Sequence, residues 1–151
     1  MFFLGAGFLL AETRAVVALG LVFGNTWVTA SVVFAGVLGA ILLANALVLT
    51  LRIQRTTPAY IALFTSLVID YGLDPANPVV ALTLVLLPVA CASLIFAVSF
   101  QSERDPRVAL GANIAGALLG GLSEYLSLLL GFQGLLLVLM LWFGLSVRDR
   151  R

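Results

Sequence analysis

Between Asn25 and Arg52 the sequence carries no charged side chain, and a second uncharged stretch runs from Asn77 to Gln101. At about 1.5 Å per residue, a helix of roughly 20 apolar residues covers the ~30 Å hydrocarbon core of a bilayer. A helix that is apolar all round has no face to offer water, so lipid is the natural solvent for such segments. The rest of the chain agrees, with 62% hydrophobic and only 10% charged residues and a mean hydropathy of +1.18. Soluble domains run at about 45–50% apolar and 25% charged. Within lipid every backbone N–H and C=O must be satisfied inside its own segment, which predicts an all-α integral membrane bundle.

Polar residues and turn formers divide the chain into Phe2–Phe23, Trp27–Leu51, Pro58–Tyr71, Pro78–Phe100, Val108–Leu130 and Gly134–Val147. The expectation is a single membrane domain, residues 1–151, of about six transmembrane helices, with no soluble domain beside it. The third and sixth segments are the shortest, at roughly 21 Å each. Arginine orients the bundle: Arg52 and Arg55 share one connection, Arg104 and Arg107 another, and Arg148, Arg150 and Arg151 close the sequence. The remaining connections carry no basic residue, so the positive-inside bias predicts an even number of crossings with both termini cytoplasmic. Met1 to Leu10 lacks the basic start of a secretory signal, so the first segment is expected to be retained.

A net charge of +1, with basic residues confined to small loop clusters, gives no surface for nucleic acid. With no histidine and one cysteine, Cys91, the ligand sets of haem, zinc and iron–sulfur centres are missing, so neither a metal nor a cofactor is expected. No nucleophile–base constellation or phosphate-cradling loop occurs, and an enzyme is not predicted.

The informative departure from apolarity is FLLAETRAVV, where Glu12 and Arg14 stand inside the first segment. Glu12 lies about 15 Å and Arg14 about 18 Å from its start, near mid-bilayer. A charge there costs about 2.5–3.5 kcal/mol on insertion scales, so each needs a partner or a wet cavity. Residues two apart on a helix point about 200° from one another, so they do not neutralise each other. Glu124 ends a stripe of small residues, Ala112, Gly116 and Gly120, in LGANIAGALLGGLSEYL, and small stripes let helices approach closely. By height, roughly 24 Å up its helix, Glu124 is the preferred partner of Arg14, with Asp70, roughly 18 Å up its own, as the competitor. Two readings stay open. The pair is a structural ion lock that fixes packing, or the cluster lines a polar cavity where a surplus carboxylate, Glu12 foremost, meets a proton or a cation. Asn45 and Asn113 are expected to hydrogen-bond between helices. Pro88 is expected to kink its helix, Trp27 and Trp142 to anchor span ends, and Asp74 to lie in a solvated turn.

Two stretches look familiar. GAGFLLAETRAVVALGLVFGNTWVTASVVFAGVLGAILLANALV and LGANIAGALLGGLSEYLSLLLGFQGLLLVLML resemble the start and end of the membrane half of bacterial spermidine-synthase-like fusion proteins, over about half of the chain. The resemblance singles out Glu12, Thr13, Arg14, Phe23, Gly24, Thr26, Trp27, Asn45, Asn113, Gly120, Gly121, Glu124 and Tyr125. It implies a transporter-like, polyamine-related membrane role in a bacterial inner membrane. Those proteins continue into a soluble synthase-like domain, for which this chain has no counterpart, so polyamine synthesis is not expected of it. The function expected is that of a small multi-pass membrane protein of transporter-like type, a half-unit moving or sensing a small cationic solute, working in the lipid bilayer as a homo-oligomer or with a membrane partner. The alternative is a non-catalytic scaffold or accessory subunit of a larger membrane complex.

Overall fold

Two helix starts show how local sequence sets the elements. At the first corner the Thr26 hydroxyl accepts from the Thr29 amide at 3.3 Å, while the Thr29 hydroxyl donates to the Gly24 carbonyl at 2.8 Å. At another, the Asp105 carboxylate accepts from the amides of Arg107 and Val108 at 3.1 and 3.4 Å, satisfying N–H groups that a helix start leaves without partners. The computed structural model describes residues 1–24, 26–73 and 77–149. Its elements are α1 Phe2–Phe23, α2 Trp27–Leu51, α3 Thr57–Gly72, α4 Pro78–Gln101, α5 Pro106–Ser123, a 3-10 turn Glu124–Leu126, and α6 Ser127–Arg148. No strand occurs among the described residues. Asp74 lies outside them.

Among the described residues four stretches are long and apolar enough to cross a membrane: Phe2–Phe23, Trp27–Leu51, Val79–Gln101 and Pro106–Arg148. α3, at 16 residues, is shorter. The last stretch differs from the two segments expected in sequence. Val108–Leu130 is interrupted by the 3-10 turn, and α6 starts at Ser127 and then breaks at Gly131, whose φ of 73° and ψ of 171° are not helical. Its 43 residues would reach about 65 Å if straight, twice the hydrocarbon core. The stretch folds back instead, since Trp142 Nε1 donates to Ser123 Oγ across the break at 3.3 Å.

The packing divides into two compact units. In the unit Ala15–Val98, α2 buries one narrow stripe, Thr29, Val33, Val37, Ala44 and Val48. Its other faces expose Val32, Phe34, Leu38, Leu42, Leu43 and Leu49, the pattern of a helix whose surroundings are apolar on both sides. α2 and α4 run parallel. A Cβ on Gly36 would stand 3.3 Å from Leu86, and farther along both helices Val48 packs with Ala97 and Val98, backed by Ile53 and Leu94. α3 buries Tyr60, Leu63, Ser66, Leu67 and Asp70 on one face. Pro88 sits inside α4 without ending it.

In the unit Met1–Arg14 and Ser99–Arg151, α1 and α5 approach backbone to backbone. A Cβ on Gly116 would meet the Phe2 carbonyl, one on Gly120 the Ala6 carbonyl, and one on Gly5 the Asn113 carbonyl. The small-residue stripe is thus the surface on which α1 lies, and the two helices keep step in the same direction. α6 runs the other way. The Met1 α-amino group stands 3.2 Å from Asp149 Oδ2, a Cβ on Gly7 would stand 2.8 Å from the Phe143 ring, and Arg14 reaches Phe132.

Candidate functional site

α1 carries the central charges because its two faces differ. Ala11, Arg14 and Ala15 are buried, whereas Glu12 and Thr13 are half-buried. Thr13 turns its hydroxyl back to the Leu10 carbonyl at 3.1 Å, which satisfies it within the helix. Arg14 is only 5% exposed, and its guanidinium carbon lies 4.8 Å from the centre of the Phe132 ring, within cation–π range. Asp70 is 6% exposed, on the buried face of α3. These side chains are withdrawn from the surface while leucines such as Leu128 and Leu129 are 82% and 83% exposed, the inverse of a water-soluble arrangement.

Glu124 stands where α5 gives way to the 3-10 turn. Phe2 opposite Gly116 and Ala6 opposite Gly120 fix the register, and continuing it brings Glu12 level with the 3-10 turn. The height expected for Glu124 from its own helix start is therefore revised. α5 begins below the start of α1, and Glu124 lies at mid-height of α1 rather than far above Glu12. Its half-buried carboxylate lines a cavity of about 420 Å³ together with Gly121, Tyr125, Ser127 and Leu128.

Other expectations divide. Asn113 does bond between helices, its Nδ2 donating to the Met1 carbonyl at 3.4 Å. Asn45 is exposed: it follows the buried Ala44 by one position, which is about 100° around the helix and off the packed stripe. Trp27 is exposed near the start of α2. Trp142 is instead a packing residue, stacked on Phe3 at 6.0 Å and bonded to Ser123. Sequence reasoning missed Phe132, read only as part of a corner, and Ser127, which nothing in its apolar surroundings marks out. Ala112 is half-buried and Gly121 half-buried beside Leu9. Among the described residues no group of three or more histidine, cysteine, aspartate or glutamate side chains converges on a metal site.

No family model, curated protein or solved structure matches the chain.

Proposed function

We propose that the chain is a multi-pass membrane protein of transporter-like type, a half-unit that moves or senses a small cationic solute through an interior acidic and basic cluster. The observation that carries this reading is the placement of Glu12 and Glu124 at one height, half-buried, mid-way along α1, with Glu124 lining a cavity where α5 tightens into the 3-10 turn. Intramembrane carboxylates are costly and usually mark a solute or proton path. Membrane passage itself follows from the four long apolar stretches.

The finer topology belongs to the same proposal. The proximity of Met1 to Asp149 supports an even number of crossings between them. If α1, α2, α4, α5 and α6 each cross, α3 must cross as well, giving six crossings. The exposed Arg52, Arg55, Arg104, Arg107 and Arg148 then share one side, which the positive-inside bias makes the cytoplasmic side of a bacterial inner membrane.

The test is flux in proteoliposomes containing the purified chain, using a small labelled diamine with an imposed pH gradient. Uptake above that of empty liposomes, reduced at least tenfold by Glu12→Gln, is expected. Absence of uptake, together with recovery from native membranes in a stoichiometric large complex, would replace this reading by that of an accessory subunit.

A further inference from the structure

The cavity beside the 3-10 turn joins three chemistries at one place. It is an open groove, since Tyr125 and Leu128 are 71% and 82% exposed; Glu124 brings a carboxylate, Tyr125 and Ser127 bring hydroxyl-bearing side chains, and Gly121 and Leu128 bring a small apolar wall. Its volume of about 420 Å³ falls in the range of small-molecule sites, about 300–1,000 Å³. We infer that this cavity binds a primary alkylammonium ion, with Glu124 as counter-ion, the two hydroxyls accepting the remaining N–H bonds, and Leu128 against the alkyl chain.

The composition of the wall selects this class over other cations. Calcium takes 6–8 oxygen ligands, commonly several of them carboxylates, and magnesium demands an octahedral set, whereas this cavity offers one carboxylate. An ammonium carries one charge and three donors, which one carboxylate and two hydroxyls match, and the Tyr125 ring adds a face that attracts cations. The Ser123 hydroxyl is engaged by the Leu119 carbonyl and Trp142, while Glu124 and Ser127 line the cavity. A carboxylate at mid-height of α1, beside leucines exposed toward lipid, is costly when alone, and a bound ammonium removes that cost.

This deepens the transporter-like reading and rests on it, but it is tested by binding rather than flux. Trp142 touches Ser123, the neighbour of Glu124, and the chain has two tryptophans, so Trp27→Phe leaves Trp142 as a single reporter. The full chain in detergent is titrated with ethylammonium chloride, with sodium chloride and tetramethylammonium chloride as ionic controls. Trp142 emission and the apparent Tm are read together, since a ligand bound only by the folded state raises the Tm. The expected result is a saturable emission change and a Tm rise with ethylammonium alone. The apparent Kd should weaken at least tenfold in Glu124→Gln and in Ser127→Leu, which fills the cavity without touching the charge, and stay within twofold in Thr50→Val, on an exposed face of α2. No saturable response in either readout would overturn the site, as would an equal response to tetramethylammonium or one that survives both cavity variants. Binding without flux would leave the site standing and remove transport; flux without this binding would do the reverse.

Discussion

The glycines of α5 are not equivalent, and the difference can be measured one residue at a time. A Cβ on Gly116 or Gly120 meets the backbone carbonyl of Phe2 or Ala6, whereas one on Gly111 meets nothing. Gly111→Ala is therefore expected to be neutral or slightly stabilising, within about 1 kcal/mol. Gly116→Ala and Gly120→Ala should each cost about 1–3 kcal/mol, as overpacking does, read as thermal unfolding in detergent. Equal effects at the three positions would mean that α1 does not lie on this surface. The stripe was legible because alanine and glycine recur every fourth residue, a spacing that has meaning only on a helix. The contact of Arg14 with Phe132 was not legible in the same way, because an aromatic ring beside a guanidinium does not announce itself by charge. Replacing Phe132 by Leu should cost about 0.5–2 kcal/mol, and the loss should largely vanish when Arg14 is already Met. Additive losses would show that the ring and the guanidinium do not interact.

At the scale of elements, most helix starts could be read from their first residues: Thr26 and Asp105 cap α2 and α5, and Pro58 and Pro106 sit where a helix needs no amide donor. Interruptions within apolar sequence were harder. Gly131 was visible between the fifth and sixth segments, yet the 3-10 turn over Glu124–Leu126 has neither glycine nor proline within it, and the polar residues of SEYLS mark a site without marking a change of helix type. Its height relative to Glu12 was invisible for another reason: it depends on how far α5 slides along α1, a register set by tertiary contact. The corner itself gives a sharp expectation. Gly131 has a φ of +73°, a conformation that L side chains rarely adopt, so Gly131→Ala should cost about 1–3 kcal/mol of strain although a Cβ there would meet nothing. A Tm unchanged by that substitution would place the fold-back elsewhere.

For the molecule as a whole, six crossings and four crossings differ in one loop. Both put Gln54 and Arg148 on the same side as Met1, but a topology in which α3 fails to cross and Pro106–Arg148 crosses once sends Ser102 to the opposite side. With Cys91 replaced by Ala, single cysteines at 54, 102 and 148 are expected to react together with a membrane-impermeant thiol reagent added from the cytoplasmic face. Protection of position 102 alone would select four crossings.

Met1–Arg14 packs with residues from 99 onward, while Ala15–Val98 packs within itself. Gly116, against which Phe2 rests, leaves the ribosome only after about a hundred further residues have been added, about 5–20 s later at 5–20 residues per second. The stretch that is made first is therefore completed last. Until then Glu12 and Arg14 sit in the membrane without the helices that flank them in the finished protein, and the moment of greatest exposure for these charges comes during synthesis.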